Sequence, residues 1–435
     1  MKEAKYITVD EMLELINPED DIILGMAANE PQLFATNVHK IFDRVKKVNV
    51  TNCLPINDAD FFMKDEYKDK FYLSGWFYNG SLRKAHAKGN ISFIPNHLHL
   101  AGKKRIFHRK PRVFISAASM PDKHGYISLS TSNVYEKEAM EAAEIVILEV
   151  NQKFPRTFGD VEVHVSDVDY LVKADYEVPA IPDIEPNEKD MIIGKTIASY
   201  IKDGDTIQLG IGGMPNAVAK SLYDKKDLGI HTEMFTNEMM NLIKAGVITG
   251  KRKTLHNSKH IACFAMGTNE LYEFLDNNPS CWILNGNYVN DPHVIGLNDN
   301  QISINATLEI DLSGQCASES LGPMQFSGTG GQSDTAVGAQ NSKNGKSFIA
   351  LYSTAMVKNK ETGEREEVSK IVLTLKPGAA VSLSRNDIDY VVTEYGCVSL
   401  RGTTIAERAE LLISIAHPKF RDELRSEAKK IGWLY

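Results

Sequence analysis

The chain repeats itself, and that restricts its fold more than any other feature. Ile16-Asn-Pro-Glu-Asp-Asp-Ile-Ile-Leu-Gly25 can be laid on Ile201-Lys-Asp-Gly-Asp-Thr-Ile-Gln-Leu-Gly210. The two match at Ile16/Ile201, Asp20/Asp205, Ile22/Ile207, Leu24/Leu209 and Gly25/Gly210. Each copy reads as a helix end, a turn on Asp, and a short apolar strand stopping at Gly. A Pro-bearing turn and a new helix follow, through Glu30-Pro31 and Met214-Pro215. A second echo pairs Ser166-Asp-Val-Asp-Tyr-Leu-Val172 with Asn386-Asp-Ile-Asp-Tyr-Val-Val392, in the same order. Two echoes in one order predict two α/β domains from an internal duplication. The boundary falls on Tyr176-Glu-Val-Pro-Ala-Ile-Pro-Asp-Ile-Glu-Pro186, whose prolines favour an extended linker. The expected domains are therefore residues 1–186 and 187–435. Asn187 starts a helix, with Asp190 three residues on and Ile193, Ile197 and Ile201 along one face. Apolar runs at 113–117, 145–150, 348–352 and 371–375 read as strands, and 407–416 reads as a helix. That alternation favours parallel sheets flanked by helices.

Composition excludes several classes. The 435 residues are 43% apolar and 24% charged, as in an ordinary globular protein. No stretch reaches the ~18 uninterrupted apolar residues of a membrane span. The opening Met1-Lys-Glu-Ala-Lys-Tyr leads into an amphipathic segment, not an apolar signal. A net charge of −8 argues against broad nucleic-acid binding, while leaving room for a local cationic pocket. Cys53, Cys263, Cys281, Cys316 and Cys397 are scattered and form no C-x-x-C pair. Neither a disulfide framework nor a zinc ribbon is expected, and a reducing cytoplasm is the natural compartment.

Gln208-Leu-Gly-Ile-Gly-Gly-Met-Pro-Asn-Ala-Val218 sits where a strand ends and a helix opens. Backbone N–H groups there favour an anion. A dinucleotide fingerprint fails, because Pro215 stands where the third Gly belongs. The turn is either a ligand cradle or a plain tight turn. Gln325-Phe-Ser-Gly-Thr-Gly-Gly-Gln-Ser-Asp334 offers a second such loop, or a surface hairpin, after a strand read at 302–312. Glu233, in Gly229-Ile-His-Thr-Glu-Met-Phe235, is placed by an α/β unit near the first glycine turn. It is ionised at neutral pH and could act as a nucleophile without a base, or be an ordinary solvated carboxylate. Glu238 is the competing carboxylate, expected on the surface of a helix. His256 and His260 have i, i+4 spacing but lack an acidic third ligand, so a solvated helix face among Lys251, Arg252, Lys253 and Lys259 is expected, and no metal. His97 and His99 read as alternating on a strand. No G-x-S-x-G elbow occurs.

These motifs together resemble the acetyl-CoA hydrolase/transferase family of the class I CoA-transferases, over nearly the whole chain. Within it, the branch acting on 4-hydroxybutyrate or on butyryl-CoA and acetate is the most similar. Its carriers are the Gln208–Val218 turn, Gly229-Ile-His-Thr-Glu-Met, Gln325-Phe-Ser-Gly-Thr-Gly-Gly-Gln, and the stretch from Ser384 to Gly396. The resemblance implies two related NagB/RpiA-like α/β domains with the active site between them. It implies Glu233 as the catalytic residue. It implies coenzyme A contacts at Gly210, Ile211, Gly212, Gly213 and Met214, at Gly331, and at Leu308. Coenzyme A would be substrate and covalent partner, with no permanently bound cofactor. Short-chain carboxylates would be its other ligands, and a homo-oligomer, dimer or tetramer, is expected. Gln208 is a candidate for a substrate carboxylate or oxyanion. Thr236-Asn237-Glu238 replaces the Ser-Asp-Gly of relatives and leaves the acyl specificity open. Two other readings stand beside transfer: a thioester hydrolase on the same scaffold, and a non-catalytic coenzyme A or nucleotide sensor.

Overall fold

The computed structural model describes residues 4–358 and 363–435. By internal packing the chain forms two compact units. The first holds Met1–Asp183, Thr232–Met240 and Lys259–Asp291; the second holds Ile184–His231, Asn241–Ser258 and Pro292–Tyr435. This differs from a single cut at residue 186. The segment carrying Glu233 packs with the N-terminal unit, although it lies in the C-terminal half of the sequence.

The first unit is built on an eight-stranded sheet. Its order is Lys5–Ile7, Tyr170–Lys173, Ile145–Val150, Val113–Ala118, Asp21–Leu24, Val48–Asn52, Phe71–Gly75, Ile91–Phe93, and every pair is parallel. Val113–Ala118 is buried along its whole length, as a parallel strand covered on both faces must be. Ile22, Leu24, Val50, Phe71 and Ile115 centre its core. The second unit has a six-stranded sheet: Gly229–Ile230, Thr206–Leu209, Gln301–Ala306, Lys346–Ala350, Tyr390–Thr393, Gly396–Ser399, with only the last pair antiparallel. Its core gathers Ile349, Val391, Leu412 and Ile413.

The duplication holds at the level of register. In the first unit Leu24 pairs with Ile115, Ile115 with Ile147, and Ile147 with Tyr170. In the second, Leu209 pairs with Ile304, Ile304 with Phe348, and Phe348 with Tyr390. The repeated Asp residues have repeated jobs. Asp20 accepts the Asn17 N–H at 2.7 Å, and Asp205 accepts that of Lys202 at 2.8 Å. Asp169 accepts the N–H of Val146 at 2.9 Å, and Asp389 that of Ser347 at 3.1 Å. Each closes a turn or brackets a neighbouring strand, which an apolar residue could not do. The helices leading into the two copies, Val9–Glu14 and Glu188–Ala198, both start on a capping box, Thr8/Glu11 and Asn187/Asp190. Both copies also place their first strand, Asp21–Leu24 or Thr206–Leu209, where the strand order reverses. Such switch points open a crevice at the strand's carboxyl end.

Three local expectations are corrected. The stretch 302–312 is two strands, Gln301–Ala306 and Glu309–Asp311. Between them the Thr307 hydroxyl bonds the Glu309 and Ala317 carbonyls, and the chain passes into a second sheet beside Cys316–Ala317 and Ile371–Val372. His256 and His260 share no helix: His256 (φ 50°) and Ser258 (φ 60°) adopt left-handed backbone, and Lys253 and His260 are buried. His97 precedes a short 3-10 turn, Leu98–Leu100, and His99 lies within it, with their rings stacked.

Candidate active site

In the second unit, Thr206–Leu209 delivers the chain into the glycine turn. Gly212 has φ +123°, a conformation open to glycine and closed to most side chains, and it precedes the helix Gly213–Lys220, which no side chain caps. Gly210 and Gly25 hold the same place in the repeat but not the same surroundings. A Cβ on Gly25 would meet Ser116 Oγ at 2.3 Å and the Asn29 carbonyl at 2.6 Å. A Cβ on Gly210 would meet nothing within 4 Å. Protein fills the first-unit crevice, whereas the second-unit turn leaves room for another molecule to approach its backbone. Ile211 is half-exposed beside it, while Gly213 is required by packing, since its Cβ would lie 2.2 Å from Asp190 Oδ2.

The second glycine loop is tied to the same sheet edge. Gly331 precedes the helix Gln332–Asn341, which also lacks a side-chain cap. Gln332 Nε2 donates to the Ala306 carbonyl at 2.8 Å. Gln208 Oε1 accepts from Ser303 Oγ at 3.2 Å and from the Ile304 N–H at 3.0 Å. Ser303 Oγ in turn meets Thr335 Oγ1 at 3.0 Å, one turn past Gly331. Gln208, Ser303 and Thr335 therefore brace both uncapped helix starts on one strand edge. Gln208 is buried, and its carbonyl oxygen is committed to the sheet. Leu308 is half-buried where the chain changes sheets, its N–H donating to Ala317 at 3.2 Å. Two uncapped N-termini can bind anionic groups such as phosphates or an oxyanion.

Glu233 is held within the first unit. It lies between Gly229–Ile230 and Met234–Phe235, the latter pairing with Phe264–Ala265. Its carbonyl accepts the N–H groups of Cys263 and Phe264, both at 3.1 Å, and the Cys263 thiol at 3.1 Å. Asn290 Nδ2 donates to Glu233 Oε2 at 3.0 Å, and Asn290 Oδ1 lies 3.6 Å from the Cys263 sulfur. Asn290 is fully buried, so its amide is a fixed donor. The Cys53 thiol is pushed well above its ordinary value by burial first, then by the negative charges of Glu136 and Glu233. Glu238 is buried in the first turn of Asn237–Lys244, correcting its expected surface position. The Thr236-Asn237-Glu238 departure has a structural role at its centre. Asn237 Oδ1 accepts the Thr268 N–H at 3.0 Å, and its amide donates to Asp183.

The structure thus gathers Gln208, the Gly210–Met214 turn, Leu308 and Gly331 in one unit, and seats Glu233 in the other. Sequence reasoning missed Asn290 and Cys263. Neither lies in a motif, and only the packing of Thr232–Met240 against Lys259–Asp291 reveals them. Among the described residues, no three His, Cys, Asp or Glu side chains are grouped to hold a metal. No helix among them is long and apolar enough to cross a membrane.

Parallel switch-point sheets carrying glycine-opened helices define a doubly wound α/β protein with room for an anionic ligand at its strand ends. Family models give its class: the acetyl-CoA hydrolase/transferase N-terminal domain matches residues 2–182, and its C-terminal domain matches residues 267–428. The chain belongs to the acetyl-CoA hydrolase/transferase family and is an enzyme of the CoA-transferase class. It is 41% identical to the 4-hydroxybutyrate coenzyme A transferase of Clostridium kluyveri, over 98% of this chain and 97% of that one. It is 40% identical to the succinyl-CoA:cyclohexane-1-carboxylate CoA transferase of Geobacter metallireducens, over 97% and 94%. The crystal structure of RipA from Yersinia pestis superposes with a TM-score of 0.91 at 34% identity, over 99% of this chain and 98% of that one.

Proposed function

We propose that this enzyme moves coenzyme A between a short-chain acyl-CoA, 4-hydroxybutyryl-CoA or butyryl-CoA, and a carboxylate such as acetate, with Glu233 as nucleophile. The observation that carries this reading is the fully buried Asn290 amide fixed on the Glu233 carboxylate, on a segment whose backbone is pinned by Cys263 and Phe264.

The Glu233 carboxylate attacks the thioester carbonyl, and the carbon–sulfur bond breaks to release the coenzyme A thiolate. The acyl group remains as a mixed anhydride on Glu233. The thiolate then attacks the glutamyl carbonyl, which frees the first carboxylate and leaves a glutamyl-CoA thioester. An acceptor carboxylate reverses these steps. One thioester replaces another, so the exchange consumes no ATP. Each tetrahedral intermediate carries an oxyanion, and one fixed N–H donor to it is typically worth ~3 kcal/mol. The uncapped turns at Gly210–Met214 and Gly331, with Leu308 beside them, are assigned to the coenzyme. Its remote binding energy drives the reacting groups together.

Borohydride reduction during incubation with acyl-CoA, followed by peptide mass spectrometry, tests this. The peptide containing Glu233 is expected to carry the reduced alcohol. Modification of a different peptide overturns the site, and absence of modification under turnover overturns the covalent path. Release of coenzyme A at the same rate without an acceptor acid identifies a hydrolase instead.

A further inference from the structure

At the amino ends of its parallel strands the second unit has a cavity, on the sheet edge opposite the Gly210 turn. It measures about 490 Å³, and Lys202, Asp205, Lys346, Asp389, Tyr390 and Arg401 line it. That volume is in the range of small-molecule sites. All six residues belong to the second unit. Asp205 leads into Thr206–Leu209, Lys346 opens Lys346–Ala350, and Asp389 leads into Tyr390–Thr393.

The duplication shows what is unusual here. In the first unit Asp20 is closed by Arg112, whose Nε and Nη2 donate to its two oxygens, each at 2.6 Å. Arg112 precedes Val113, which pairs with Ile22; in the second unit Ile302 pairs with Ile207. Gln301 therefore stands in the place of Arg112, and it turns its amide to the His231 carbonyl at 3.1 Å. Asp205 keeps the Lys202 N–H on Oδ2 but has lost the arginine. Asp389 takes the Ser347 N–H and Arg401 on Oδ2 alone. On neither residue does Oδ1 accept a hydrogen bond among the described residues, although Asp205 is 5% exposed and Asp389 1%. Buried polar atoms without partners are rare and call for a reason.

The cations around them are equally unspent. Burial raises both carboxyls, and the charge of Lys346 acts on both in the opposite sense, so Lys346 stands in range of the two. Yet neither Lys346 nor Lys202 has an ion-pair partner among the described residues. Arg401 uses Nη2 on Asp389 and keeps further N–H groups for another acceptor. Two carboxylate oxygens thus lack donors, while three cations lack an anion and outnumber the two carboxylates. A phosphate attached to a hydroxyl-bearing body supplies both.

We propose that this cavity binds a phosphorylated polyol, either a sugar phosphate or the ribose phosphate of a nucleotide. The phosphate takes Lys202, Lys346 and Arg401, and hydroxyls donate to Asp205 Oδ1 and Asp389 Oδ1. The strand Thr206–Leu209 separates this site from the glycine turn, with Asp205 before it and Gly210 after it. The assignment stands whether or not Glu233 is the nucleophile.

Isothermal titration calorimetry on the full chain tests it, with glucose 6-phosphate, AMP, inorganic phosphate and glucose as probes. Glucose 6-phosphate or AMP is expected to bind at a single site, about tenfold or more tighter than inorganic phosphate, with glucose silent. Lys346→Ala and Lys202→Ala are each expected to weaken that binding by about tenfold or more, with melting near wild type. Binding of glucose 6-phosphate identifies a sugar-phosphate site, and binding of AMP alone a nucleotide site. Absence of binding by both overturns the proposal. So does inorganic phosphate binding as tightly as either, since charge alone then explains the cavity. Wild-type affinity in both variants also overturns it, because the ligand then sits elsewhere.

Discussion

On the proposal that Glu233 is the nucleophile, its advantage depends on its not swinging away from the thioester, and the buried Asn290 amide restrains it. Asn290→Ala removes the donor to Glu233 Oε2. Acyl transfer is expected to slow by about 10²-fold in kcat, with KM for acyl-CoA changed little, because positioning and not affinity is lost. Glycine positions separate packing from binding in the same way. Gly213→Ala drives a methyl into Asp190 and is expected to cost about 1–3 kcal/mol of stability. Gly210→Ala meets no protein atom, so melting should stay near wild type while KM for the acyl-CoA rises. Calorimetry and steady-state kinetics on the pair check both outcomes. At this scale the sequence was only partly readable. Glu233 and the glycine turns are local strings. Asn290 lies in an ordinary stretch, and only tertiary pairing gives it a role. Glu238 was misread because a helix's first turn says nothing about which face another segment covers.

At the scale of elements, caps and apolar runs were legible. Asn187 with Asp190 makes the expected capping box, and Thr404 with Glu407 makes another on Ile405–Ile415. Thr404→Ala is expected to lower stability by about 1 kcal/mol with kcat unchanged, measured by urea unfolding. Strands such as Ile145–Val150 were found because parallel strands are apolar on both faces. The change of sheet at Thr307 and Leu308 was harder to read. Polar and apolar residues alternate straight through it, from Ser303 and Ile304 to Glu309 and Ile310, as they would in one continuous strand. The His256–His260 stretch failed differently: spacing suggested a helix, but two left-handed residues forbid it.

For the molecule as a whole, the duplication was the most reliable reading, and its register agrees strand by strand. The copies diverged in what fills them. The second keeps an open turn at Gly210. The first places Glu30 and Glu149 in its interior, and burial raises both to about 7, against hydrogen bonds that lower them. Their ordinary value is near 4.5, so between about 4.5 and 7 the native chain holds protons that the unfolded chain has lost. That contribution to stability is complete below the unfolded value and is lost as pH rises through the folded one. Glu149→Gln should flatten the fall in stability between pH 5 and 7.5, by on the order of 3 kcal/mol. Urea titrations at the two pH values decide it; parallel curves for wild type and variant would refute it. The interleaved path of the chain has its own consequence. A gene split at the proline linker would send Glu233 out with one polypeptide, and Met1–Asp183, the main part of the unit it packs in, out with the other. The duplication can be seen in the sequence, but the reaction no longer divides along it, and gene fission at that point should be far less tolerated than the repeat suggests.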